Sequence, residues 1–117
     1  MIGGIRIIGG NKDFWIRGYT NGLRECLKTN GEMKKLINLA EKVGKRLLNA
    51  LGKEQLDDEI TEISAFQSAV IDVLHTYSAF ISLFGCKEFT WDFIRKRIID
   101  VLSEFEEVMS GEAKKMD

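Results

Sequence analysis

Proline is absent from the 117 residues, so no position forces a helix to break for want of a backbone N–H. Histidine occurs once, at His75, and cysteine twice, at Cys26 and Cys86. One imidazole and two thiols 60 positions apart, with no CxxC pair, do not make a zinc-type ligand set. The two cysteines read as reduced, mostly buried thiols rather than as a disulfide. Long apolar runs are missing as well. The most hydrophobic stretch, residues 69–84, is too short to span a bilayer comfortably and contains Asp72 and His75. The N-terminal residues lack the basic region and apolar run of a secretory signal. The expectation is a cytoplasmic protein with no membrane partner.

The composition present, 44% hydrophobic and 30% charged, belongs to an ordinary folded domain whose length suits a single core. A net charge of −1 conceals an asymmetry. Residues 1–53 hold 11 Lys/Arg against 4 Asp/Glu, and residues 54–117 hold 6 against 14. Such a split hints at a nucleic-acid or acidic partner, or at two halves that face each other.

Residues 57–84 dominate the chain. Ile60, Ile63, Phe66, Val70, Leu74, Tyr77, Ile81 and Phe84 recur every three or four positions and predict one 28-residue helix with a continuous apolar stripe. Ala69, Ile71, Val73, Ala79, Phe80 and Leu83 spread apolar surface round its second half, as expected of a helix at the centre of a bundle or at a subunit interface.

Before it, Thr29 and Glu32 have the spacing of a capping box. Met33, Leu36, Ile37, Ala40, Val43, Leu47 and Leu51 continue as a helical stripe, with Gly44 inviting close helix approach. Gly52 follows as a C-terminal cap able to adopt positive φ. The short connection to residue 57 predicts an antiparallel helical hairpin. That pairing would set Lys42, Lys45 and Arg46 level with Asp57, Asp58, Glu59 and Glu62. Gly85 ends the central helix. Thr90 is the expected N-cap of a last helix with the stripe Trp91, Ile94, Ile98, Val101, Phe105 and Val108, stopped by Ser110 and Gly111.

The first residues differ in kind. Gly3, Gly4, Gly9, Gly10 and Gly18 punctuate two β-prone runs, IRII at 5–8 and FWIR at 14–17, and predict a short glycine-rich β-hairpin. The competing reading is an arm followed by a helix from Asp13. From Thr20 the pattern turns helical, with Thr20 or Asn21 able to cap a short segment through Leu23, Cys26 and Leu27. The fold expected is mainly α: residues 1–19 as hairpin or arm, 20–110 as a small helical bundle, and 111–117 as a tail.

Chemistry-bearing patterns are few. His75 stands one turn after Asp72, but a carboxylate-bridged di-metal bundle needs such a pair on two helices plus further carboxylates. A cysteine nucleophile would need His75 beside Cys26 or Cys86, and no spacing brings them together. Ser64, Ser68, Ser78 and Ser82 recur along the central helix in the manner of small packing residues. The glycine pairs match neither GxxxxGK[ST] nor GxGxxG. No catalytic residue, metal or cofactor is expected.

The leading expectation is a small non-catalytic interaction or regulatory protein, acting as a homodimer through an apolar helical face that includes Phe66, Tyr77, Phe80, Phe84 and Trp91. The alternative is a nucleic-acid-associated protein. It would use the basic first half, with Arg6, Lys12, Arg17, Lys34, Lys35 and Lys45 on phosphates and Phe14, Trp15 and Tyr19 available for stacking.

Overall fold

A computed structural model describes residues 10–53 and 57–116, with side chains described for 12–53 and 57–107. Four helices account for nearly all of it: α1 (Gly10–Lys28), α2 (Met33–Leu51), α3 (Asp57–Phe84) and α4 (Lys87–Met116). No strand occurs among the described residues. The central helix has the bounds expected of it, and it packs against all three others.

The order of contacts gives the directions. Arg17 meets Glu62, Gly22 lies against Phe66, and Gly31 is level with Tyr77, so α1 and α3 run parallel. Ala50 packs near Ile63 and Ala40 near Gln67, which makes α2 antiparallel to α3, as its short connection requires. Phe84 touches Phe89 and Phe80 touches Phe93, so α4 also returns antiparallel. The main core lies between α3 and its neighbours, with Leu23, Cys26, Leu36, Val70, Val73, Tyr77, Ile94 and Ile98 at its centre. A smaller cluster of Val43, Ala50 and Ile63 closes the α2–α3 hairpin.

The expected β-hairpin is corrected over its second strand. Residues 14–16 lie inside α1, while the first strand, 5–8, falls outside the described residues. Ile16, Thr20, Leu23 and Cys26 recur at helical spacing and are all buried, so tertiary packing overrides the β-prone local sequence. Gly18 and Gly22 weaken the isolated helix by about 1 kcal/mol each. In the fold they form its contact surface. A Cβ at Gly18 would collide with the Glu62 carbonyl, and one at Gly22 would lie 2.7 Å from the Phe66 carbonyl oxygen and 2.8 Å from the Ala69 Cβ. Ala65 and Ala69, both fully buried, are the small partners on α3. The tightest partner of the central helix is therefore α1 rather than its hairpin neighbour α2.

The boundaries at 19/20 and 110/111 also fall inside helices, since α1 crosses the first and α4 the second. The capping box does not form. Glu32 occupies the N-cap of α2 with no side-chain cap bond and pairs with Lys35 at 2.8 Å. Thr29 instead closes α1, its hydroxyl donating to the Cys26 carbonyl at 2.7 Å and accepting from the Gly31 N–H at 3.3 Å. Asn30 and Gly31 then take positive φ, 53° and 77°, and make the reversal into α2. Gly52 caps α2 with φ −82°, so the left-handed conformation expected there is not used. Gly85 does use it, at φ 71°. Helix α4 starts three residues before Thr90, which is buried and donates to the Cys86 carbonyl at 2.7 Å.

Candidate functional site

The α3–α4 turn is two residues long, and this forces the last turn of α3 and the first turns of α4 side by side. Their aromatic side chains meet there. Phe80 lies 5.7 Å from both Phe84 and Phe93, and Phe84 lies 5.7 Å from Phe89 at an interplanar angle of 90°. Edge-to-face pairs of this kind add about 0.5–1.5 kcal/mol each beyond area burial. The cluster nevertheless stays in water: Phe84, Phe89 and Phe93 are 53%, 58% and 50% exposed, and Leu83 beside them is 74% exposed.

An apolar cleft of about 390 Å³ continues from this cluster between α1, α3 and α4. Leu23, Val73, Ile94, Ile98 and Val101 line it together with Phe80 and Phe93. Its polar lining residues are Tyr19, Asp72, Thr76 and Arg97. Tyr19 donates to Asp72 at 2.7 Å, and burial, assisted by that bond, pushes the phenol above its usual range and keeps it a donor. Arg97 lines the same cleft. Arg95 and Lys96, by contrast, are both engaged by Asp92, at 2.8 and 3.3 Å, and hold its carboxyl below the usual range.

The residues expected on an apolar contact face divide in two. Phe80 and Phe84 belong to the exposed cluster. Tyr77 is a correction: at 1% exposure it is interior, and its hydroxyl donates to the Gly31 carbonyl at 2.9 Å. Trp91 packs tilted against Tyr77, 5.5 Å between centroids, and lies over Gly31. Phe66 is half-buried between the two core clusters. Phe89, Phe93 and Leu83, which stand outside the five residues named for the contact face, are exposed as well. The signal was present, because Phe89 and Phe93 fall off the α4 stripe that begins at Trp91.

The basic residues do not converge. Arg6 lies outside the described residues, Arg17 pairs with Glu62 at 3.8 Å and covers the Phe14 ring at 4.8 Å, and Lys35 pairs with Glu32. Lys12, Lys34 and Lys45 are exposed. Lys42, Lys45 and Arg46 surround a shallow hollow on α2 with Asn38, Glu41 and Asn49. Arg46 does come level with Glu59 and Glu62, the three lining one hollow between α2 and α3, but among the described residues no ion pair joins Lys42, Lys45 or Arg46 to Asp57, Asp58, Glu59 or Glu62. Trp15 and Tyr19 stack on each other at 4.9 Å, so those faces are already occupied.

The cysteines and histidine stay apart. Cys26 is fully buried, and burial followed by the nearby Glu25 raises its thiol from 9.0 to about 12, well away from nucleophilic use at neutral pH. Cys86 is exposed, contrary to the expectation of two mostly buried thiols. His75 is exposed, and the carboxylate one turn before it accepts from Tyr19. Among the described residues no group of three or more His, Cys, Asp and Glu side chains gathers as a metal set, and no helix is long and apolar enough to cross a membrane.

No family model matches the chain, and no curated protein or solved structure matches it.

Proposed function

We propose that this chain is a small non-catalytic interaction protein that acts as a homodimer through the apolar end formed by α3 and α4. One observation carries the reading: Phe84, Phe89 and Phe93 are each at least half exposed and are joined through ring contacts, Phe84 with Phe89 and both Phe84 and Phe93 with Phe80. Single exposed apolar residues are ordinary, but a joined patch of large ones marks a contact surface. Sedimentation velocity over a concentration series tests it. The wild type is expected at twice 13.3 kDa, and Phe84→Glu at the monomer mass with unchanged helical circular dichroism. A Phe84→Glu protein that keeps the dimer mass would remove this face from the reading.

A second reading, nucleic-acid contact, draws support from the hollow edged by Lys42, Lys45 and Arg46, where three cations stand with one carboxylate, Glu41. Fluorescence anisotropy with short single- and double-stranded DNA and RNA at about 50 and about 200 mM salt tests it, since phosphate contacts weaken steeply with salt. Absence of binding at the lower salt would discard it.

A further inference from the structure

Helices α1 and α2 both pack on α3 but make little contact with each other. Between them lies a groove of about 440 Å³, with Leu39 and Val43 of α2 and Phe66 of α3 in its lining. Its charge is largely of one sign. Arg24 and Lys28 come from α1 and Lys42 and Arg46 from α2, against a single carboxylate, Glu25. We infer that this groove is the track of a single-stranded nucleic acid, whose phosphates are held by cations from both helices. This rests on the nucleic-acid reading above and names its site and the form of the strand.

Helical spacing arranges the cations. Arg24 and Lys28 stand four positions apart, as do Lys42 and Arg46, so each pair shares one face of its helix over about 6 Å of the axis. All four are exposed. Lys28 is offset by Glu25 at 2.8 Å, whereas Arg24 donates only to the neutral Asn21 amide, at 3.0 Å. Lys42 and Arg46 have no ion pair among the described residues. Both also line the adjoining hollow, where Lys45 joins them, so the positive surface continues along α2. Beyond Arg46 it is bounded by Glu59 and Glu62. The occupant follows from this balance. Leu39 and Phe66 are half-buried and Val43 is buried, which leaves too little apolar area to seat a protein helix. A polyanion needs no such area, because its binding is driven by the release of condensed counterions. A duplex holds its phosphates on the outside of a wide cylinder and cannot lower them between two helices, whereas a single strand can follow a positively charged groove.

Anisotropy titrations of the intact chain with a labelled oligothymidylate of about 12 nucleotides, between about 50 and about 200 mM salt, test the inference. Neutralising about three or four phosphates gives a slope of log K against log salt of about −2 to −3, a loss of about 20- to 50-fold over that range. Arg24→Gln combined with Arg46→Gln removes one cation from each side of the groove. It is expected to weaken binding at least about tenfold at the lower salt and to make the slope shallower by about 1.4. Lys34→Gln combined with Lys35→Gln removes the same charge from α2 outside the groove, and is expected to change affinity less than about threefold with the slope kept. Glu25→Gln releases Lys28 and is expected to tighten binding and steepen the slope by about 0.7, a gain that a misfolded variant cannot imitate. Equal losses in the two double variants, an unaltered slope in the groove variant, or a Glu25→Gln chain that binds no more tightly overturns the groove and leaves nucleic-acid contact standing. Tighter binding of a duplex of the same length does so too. No binding at about 50 mM salt brings down both.

Discussion

Gly22 shows how much a single missing methyl group decides. Its α-carbon lies where α1 passes closest to α3, and any side chain there meets the Phe66 carbonyl and Ala69. Gly44 looks similar in sequence, yet its nearest neighbour would be the Gln67 amide at 3.3 Å, the far end of a flexible side chain. Gly22→Ala is therefore expected to cost about 2–3 kcal/mol, as overpacked cores do, and Gly44→Ala to lie within about 1 kcal/mol of wild type because the gain in helix propensity offsets the contact. Urea unfolding of both variants checks this; equal midpoints would contradict it. Cys26 makes a second prediction at this scale. Its thiol is raised from 9.0 to about 12 in the folded chain, so the native state holds its proton more tightly than the unfolded state. The stabilisation is fully present below pH 9 and is lost progressively as pH rises toward 12. Tyr19, raised in the same direction, adds to the loss above its ordinary value of 10.0. Thermal melts between pH 8 and 11 should fall, and Cys26→Ala should flatten the first part of that fall.

Among the elements, the α1–α2 turn is held from two sides rather than by its own capping. The Tyr77 hydroxyl reaches its carbonyl at Gly31, and the Trp91 ring lies over the same residue, leaving a Cβ at Gly31 only 2.6 Å from the indole Cδ2. With φ at 77°, that position is also strained for any other residue. Gly31→Ala is expected to lose about 2 kcal/mol or more. Tyr77→Phe should lose about 1 kcal/mol, the net value of one hydrogen bond. Amide exchange localises the effect: in Tyr77→Phe, protection is expected to drop first around residues 29–33. A uniform drop along all four helices would mean that the bond supports the whole core rather than this turn. Helix α3 explains why the turn matters, because every other helix is positioned against it.

Across the whole molecule, the basic first half and the acidic second half neutralise each other only in part. Glu62 finds Arg17, Asp72 is taken by a phenol, and Lys42, Lys45 and Arg46 remain outside those pairs on α2. If assembly runs through the α3–α4 end, changing Lys34, Lys35 and Lys45 together to Ala should leave the mass unchanged and move the melting temperature by no more than about 4 °C. Exposed cations in pairs of this kind contribute at most about 1 kcal/mol. A loss of dimer mass in that triple variant would shift the contact to α2 and contradict the proposal. Reduced anisotropy binding at low salt, with mass unchanged, would instead support the nucleic-acid reading.

The periodicity of apolar residues was enough to define α3 with its bounds, the stripe of α2 through Leu51, and their antiparallel pairing, because a strong stripe and a short connection leave little freedom. It was also enough to mark Phe80 and Phe84 as candidates for a contact face. Local reading failed where stability comes from a distant partner. Residues 14–16 and Gly18 look like strand and turn until α3 supplies Ala65 and Ala69 as a surface that accepts a helix only if it is nearly bare. Thr29 and Thr90 have the spacing of N-caps but bond backward to preceding carbonyls. Tyr77 belongs to the apolar stripe in sequence, and only the docked turn at Gly31 makes it interior. The exposed end formed by Phe84, Phe89 and Phe93 likewise exists only once α3 and α4 are folded side by side. Helical spacing is a property of the chain within a few turns, whereas which face is covered depends on which helices arrive to cover it.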